Sequence, residues 1–244
     1  MRIYREKDYD AMSRRAANII SAEVIRRPDC VLGLATGSTP IGTYKQLAAW
    51  NQRGDFSFKE VHSVNLDEYK GLSGDHDQSY RYFMDSNLFH HVNIRREKTF
   101  VAQGTGDAEE NLRRFRAALA EKTTDIQLLG LGPDGHIGFN EPGSALHCSA
   151  HMEELDESTI DANARFFQSR DEVPRRAVTM GMGDIMQARK LLLIISGSNK
   201  EQAASALLMD DMIDPACPVT FIKLHRDATV VISRELAEKI GYTA

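Results

Sequence analysis

The sequence predicts an α/β fold, an open and mostly parallel sheet with helices on both faces. Three observations carry this reading. Short runs rich in Val, Ile and Leu recur along the 244 residues, apolar at successive rather than alternate positions, as strands buried on both faces are. Longer amphipathic stretches lie between them. Strand and helix in alternation imply parallel pairing through right-handed crossovers, a modified Rossmann-like arrangement.

Taken in order, Met12, Ala16, Ile19 and Ile20 stripe one side of a first helix. CVLGLA (30–35) predicts a strand, and IGTYKQLAAW, after the turn TGSTP, predicts the helix that follows it. VHSVNL (61–66) reads as a strand closed by Asp67 and Glu68. In 107–120, Ala108, Leu112, Phe115 and Leu119 recur at i, i+4, i+7 and i+11, one stripe along a helix. IQLLGLG (126–132), KLLLIIS (190–196) and VTFIKL (219–224) predict three further strands. The chain has no low-complexity linker, internal repeat or shift in composition, so a single domain over 1–244 is expected.

Composition narrows the function class. With 42% hydrophobic and 27% charged residues the chain is an ordinary globular protein, and a net charge of −5 argues against a nucleic-acid partner. Cys30, Cys148 and Cys217 are far apart and form no CxxC pair, which suggests a reducing compartment and no disulfide framework. The N-terminus is charged from Arg2, without the pattern of a signal peptide. The apolar run LLLII (191–195) is far shorter than the roughly 20 residues a membrane span needs. A soluble, cytoplasmic protein with no membrane partner is expected.

In open α/β sheets, ligands bind outside the carboxyl ends of the strands, where strand order reverses. Thr36, Gly37, Ser38 and Thr39 fill such a position, between a strand and a helix. Free N–H groups, two hydroxyls and the positive end of the helix dipole would suit an anion there; an ordinary helix start with Pro40 in its first turn is the plainer alternative. The stretch matches neither GxGxxG nor a Walker pattern, so a nucleotide is disfavoured. SGSNK (196–200) repeats the theme, with Lys200 at a helix start, where a cation is unfavourable unless an anion accompanies it; taken alone, a solvated surface lysine is the plainer reading. Arg165, in NARFFQS, offers a bidentate fork to the same anion, though a surface role fits it equally when taken alone.

Asp67 sits at a strand end, where a half-buried carboxylate acquires a pKa useful for catalysis. Asp134, His136 and Glu141 lie within GLGPDGHIGFNEPGS (130–144). An extended backbone would point Asp134 and His136 to one side, and Gly138 lets the chain bend Glu141 back toward them. A carboxylate beside an imidazole fixes its tautomer and makes it a competent acid and base near neutral pH. One His and two acids lack the further His or Cys of most metal sites, so no metal is expected. There is no GxSxG elbow and no cysteine in an activating context.

Together these stretches resemble the glucosamine-6-phosphate deaminase (isomerising) family. LGLATGSTPIGTYKQL, VNLDEYKGL with QSYRYFM, LLGLGPDGHIGFNEPGS, NARFFQS and SGSNKEQA stand in that family's order, over residues 10 to 234. GxDGHIGFNEP carries the specificity; TGST alone would not. The resemblance implies that Asp67 moves a proton between C2 and C1 of an open-chain sugar and that His136 protonates the ring oxygen on opening. It implies that Asp134 and Glu141 orient and tune His136. Thr36, Gly37, Ser38, Thr39, Arg165 and Lys200 would hold the substrate, chiefly its phosphate. The implied reaction takes glucosamine 6-phosphate and water to fructose 6-phosphate and ammonia, without a cofactor.

Three alternatives stand beside this reading: preference for the C4 epimer galactosamine 6-phosphate, a phosphogluconolactonase, and a non-catalytic sugar-phosphate sensor. Asp67 within NLDEY disfavours the lactonase, which needs no base at C2, and the acidic chain without a helix-turn-helix segment disfavours the sensor. Oligomeric state is open, because the family ranges from single chains to homo-oligomers. Larger members bind an acetylated amino-sugar phosphate as activator through basic residues soon after NEP, whereas this chain has HCSAHMEEL, with His151 and Glu153 in place of cations. Rate curves are therefore expected to be hyperbolic in substrate, and a sigmoidal curve abolished by the acetylated sugar phosphate would refute this.

Overall fold

The computed structural model describes residues 1–243. Its strands are β1 (Arg2–Glu6), β2 (Val31–Leu34), β3 (His62–Asn65), β4 (Asp67–Tyr69) and β5 (Thr99–Phe100), then β6 (Ile126–Leu129), β7 (His151–Glu154), β8 (Arg176–Thr179), β9 (Lys190–Ile195) and β10 (Ala228–Ser233). Its helices are α1 (Tyr9–Arg26), α2 (Ile41–Gln52), α3 (Tyr80–Asn87), α4 (Ala108–Glu121), α5 (Glu157–Asn163), α6 (Met182–Met186), α7 (Glu201–Leu208) and α8 (Arg234–Lys239).

Seven strands pair in parallel in the order β1-β10-β9-β6-β2-β3-β5, as the apolar runs predict. β2 and β6 are buried at every position and Leu191–Ile195 of β9 likewise, so the centre of the sheet is covered on both faces. From β2 the chain steps outward to β3 and β5, then returns to the other side of β2 for β6 and β9. Strand order reverses between β2 and β6, and a crevice opens at their carboxyl ends.

The helices follow their patterns. In α1, Met12, Ala16 and Ile20 are buried, and Asp8 caps the helix by accepting the Ala11 N–H. Asp107 does the same for α4 through the Glu110 N–H, and Leu112 and Phe115 face the core. Each such cap contributes about 1 kcal/mol.

Two expectations are corrected. VTFIKL is not a strand: Pro218–Leu224 form a 3-10 helix, and the parallel strand near the C-terminus is ATVVIS in β10. A short apolar run cannot be assigned by periodicity alone. Here Pro218 suits a first helical position, Val219 and Ile222 fall three apart on the buried side, and the Thr220 hydroxyl bonds the carbonyls of Asp214 and Cys217. Strict alternation also fails, because β4, β8 and β7 form a second, antiparallel sheet. Asp67 therefore does not close the VHSVNL strand but opens β4 in that second sheet, after the single residue Leu66.

The loop after β2 is anchored from below by Tyr44 of α2, which is fully buried. Its hydroxyl donates to the Ala35 carbonyl at 2.5 Å and accepts the Ala35 N–H at 3.2 Å. Tyr44→Phe leaves both main-chain groups without that partner, and urea unfolding is expected to show a loss of about 1–3 kcal/mol.

Candidate active site

The carboxyl ends of β9, β6, β2 and β3 are adjacent, and the loops that leave them line a cavity of about 390 Å³. β2 supplies Thr36–Thr39, β6 leads to Gly130–His136, and β9 leads to Ser196–Lys200. Asp67 enters from beyond β3, and Arg165 from the turn after α5. Eight of the ten expected site residues thus line one cavity. The other two, Asp134 and Glu141, stand behind His136.

Several of the lining groups suit an anion. No side chain caps α2, so the hydroxyls of Ser38 and Thr39 are not used in that way. The loop's main chain is held instead by Tyr9, whose hydroxyl lies 3.0 Å from the carbonyls of both Ser38 and Thr39 and accepts the Gly42 N–H at 2.9 Å. Nothing in the sequence around Tyr9 signals this role. Arg165 is exposed, its guanidinium 4.7 Å from the centre of the Phe166 ring. Lys200 ends a 3-10 turn just before α7, and burial lowers its pKa to about 8, against the opposing charge of Asp134. Neither cation has an ion pair among the described residues.

The acids are more deeply buried. Asp67 is 6% exposed; burial, with the neighbouring Glu68 charge adding to it, raises its pKa well above the ordinary carboxylate value. Glu68 follows on the opposite face of β4 and accepts the N–H groups of Tyr69, Tyr80 and Arg81 at 2.9–3.0 Å. Burial raises its pKa to about 7 in spite of those three bonds. Glu68 thereby pins the start of α3, which places Tyr80 in the cavity wall.

His136 Nδ1 lies 2.8 Å from Asp134 Oδ1 and 3.6 Å from Glu141 Oε2. The three residues come together as expected, but by a turn rather than an extended strand: the His136 N–H donates to Asp134 Oδ1 at 3.1 Å across Gly135. Gly132 is required beneath them, since a methyl there would collide with the imidazole. Gly138, at φ +60°, turns the chain back, and its Cα side faces Thr179 and Asp67 closely enough that a methyl would stand 3.1 and 3.5 Å from them. Asn140 locks the loop by donating to the carbonyls of Ile137 and Met180.

The carboxylates differ in state. Burial alone would raise Asp134, but the hydrogen bond and charge of His136 hold it far below the usual range. Burial does raise Glu141, partly offset by His136 and by the Thr159 hydroxyl, which donates to Glu141 Oε2 at 3.0 Å. Ser158 donates to Asp134 Oδ2 at 3.2 Å, so α5 supports both acids. The donor atoms of Asp134, His136 and Glu141 lie within 4.8 Å of one another, close enough to enclose a cation as well as a proton. Among the described residues, no helix is long and apolar enough to cross a membrane.

Known proteins resemble this chain over nearly its whole length. The chain is 48% identical over 240 residues to a glucosamine-6-phosphate deaminase of Clostridium perfringens (strain ATCC 13124), covering 98% of this chain and 99% of that one. It is 50% identical over 233 residues to one from Lachnoclostridium phytofermentans, covering 95% and 98%. A solved structure of a monomeric glucosamine-6-phosphate deaminase superposes with a TM-score of 0.94 at 42% identity, over 98% of this chain and 99% of that one. A 6-phosphogluconolactonase from Leishmania guyanensis shares the fold, with a TM-score of 0.76 at 21% identity over 100% and 99% of the two chains. Residues 5–231 match the model of the glucosamine-6-phosphate isomerases/6-phosphogluconolactonase family, and the chain belongs to that family.

Proposed function

We propose that the protein is a cytoplasmic glucosamine-6-phosphate deaminase that isomerises its substrate and releases ammonia without a cofactor. The observation that carries this reading is the shared cavity: a buried Asp67 carboxylate and the His136 imidazole open on the same space as Arg165, Lys200 and the Ser38–Thr39 hydroxyls. A cavity of about 390 Å³ suits a single small ligand.

In this reading the phosphate sits among Ser38, Thr39, Arg165 and Lys200, with Thr36 and Gly37 framing the loop. That remote grip supplies binding energy which orients the reacting carbons. His136 donates a proton to the ring oxygen as the pyranose opens, while the O1 hydroxyl loses one. Asp134 and Glu141 hold the imidazole in place beside the ring oxygen. Asp67 removes the proton from C2 and returns it to C1, while the amine gives up one proton and the carbonyl O1 gains one, converting the amino-aldose into a ketose imine. Water adds to the imine carbon, and ammonia leaves as the C2 ketone forms.

A lactonase would need one activated water and would leave the buried Asp67 without a task; the likeness to lactonases rests on the fold, whereas the relatives at 48 and 50% identity are deaminases. A sensor would have no use for an imidazole set between two carboxylates. The superposed deaminase is described as monomeric, which favours a single-chain enzyme over a homo-oligomer. The epimer is decided by an ammonia-release assay comparing glucosamine and galactosamine 6-phosphates; faster turnover of the galacto compound would reassign the substrate.

In the same assay Asp67→Asn is expected to lower kcat by about 10²–10⁴-fold with little change in KM, because it removes the C2 base and leaves the phosphate grip intact. Ammonia release near the wild-type rate would sink the assignment. The acid limb of kcat/KM is expected above the ordinary carboxylate range, since Asp67 must lose its proton to act and burial raises its pKa. As pH rises through about 8, Lys200 loses its charge in the free enzyme, so KM is expected to climb. Lys200→Arg, always charged, should flatten that climb.

A further inference from the structure

A second cluster of ligating side chains lies outside the cavity, where β7 begins. His147, His151 and Glu153 offer one donor atom each within 4.8 Å of one another, and the two imidazole rings lie 4.1 Å apart, centre to centre. His151 is buried, Glu153 half-buried and His147 exposed.

The contacts of His151 set its tautomer. Its Nδ1 lies 3.1 Å from the Ser149 carbonyl, which can only accept, so Nδ1 carries the hydrogen. Its Nε2 is then directed at Glu153 Oε2, 2.7 Å away. A lone pair facing a carboxylate at that distance is repulsive unless a cation, proton or metal, lies between or beside them. An imidazole that donates its far N–H to a backbone carbonyl while its other nitrogen faces outward is the usual arrangement of a metal-bound histidine. The loop bearing His147 is held in place: the His147 carbonyl accepts the Met182 N–H at 2.8 Å, and the Cys148 carbonyl accepts the Asp184 N–H at 3.0 Å.

From this geometry we propose that His147, His151 and Glu153 form a binding site for a divalent transition metal ion of the zinc type. Two imidazoles and one carboxylate suit zinc and its neighbours rather than magnesium or calcium, which require more oxygen ligands. Three protein ligands leave a fourth position, and the exposure of His147 opens it to solvent. The site is separate from the catalytic cavity, yet linked to it by the sheet. His151 and Asp67 are both register partners of Thr179, from β7 on one side and β4 on the other.

The test is calorimetric titration of the full chain, freed of metal by a chelator, with Zn²⁺. One equivalent is expected to bind, and His147→Ala and Glu153→Gln are each expected to weaken that binding by about tenfold or more. Both variants should keep the wild-type far-UV circular dichroism and ammonia release, since His147 is exposed and Gln keeps the shape of Glu153. His136→Asn, which disables the other three-residue cluster, should leave this equivalent in place. The proposal is overturned if wild type takes up no zinc, if both variants bind it as wild type does, or if only His136→Asn abolishes binding.

Discussion

Leu66 is the residue through which the two sheets are joined. Its N–H donates to the Leu34 carbonyl of β2 at 3.1 Å, continuing the parallel ladder, and its carbonyl accepts the Met180 N–H at 2.8 Å, just past β8 of the second sheet. One residue later the chain is already paired antiparallel with β8. Asp67 is held by both networks at the point where they meet, and neither sheet alone would keep it at the mouth of the crevice. Strand alternation then sends Glu68 to the other side, where it fastens α3. A single turn of β pleat thus delivers one carboxylate to the cavity and one to the scaffold.

The cavity that results carries groups of both signs. Two cations line it without ion pairs among the described residues, and the burial of Lys200 makes its charge costly until an anion arrives. Asp67, on the same cavity, is buried beside a second acid, so its ionised form is also costly. The charge of Asp134 acts on Lys200, and His136 in turn holds Asp134 far below the usual carboxylate range. A ligand with a dianionic head and a neutral, proton-exchanging body suits these groups better than a molecule charged throughout.

Much of this was legible in the sequence because the central strands are apolar at successive positions, and because loops at strand ends carry Gly- and Ser-rich turns beside ionisable groups. VTFIKL was not, since six apolar-rich residues suit a strand or a tight helix, and the choice was made by Pro218 and by the Thr220 hydroxyl. The second sheet was hidden too. DEY, HMEE and RAVT are short and polar at several positions, and they pair because Leu66 and the loop locked by Asn140 bring them together. Tyr9 illustrates the same limit: an aromatic at the start of a helix gives no sign that its hydroxyl will organise a loop some thirty residues away.

The segment from α5 to Arg165 ties the imidazole's supports to the cavity's exposed cation. Ser158 and Thr159 donate to Asp134 and Glu141, the carboxylates beside His136, while Arg165, in the 3-10 turn that follows α5, lines the same cavity. The surface side of the same segment is braced by Arg170, which pairs with both Glu157 and Asp161. A group bound by Arg165 therefore acts on the element that sets the surroundings of the imidazole. Binding energy gained at a remote handle of the substrate can in this way be expressed as orientation of the imidazole beside the reacting atoms.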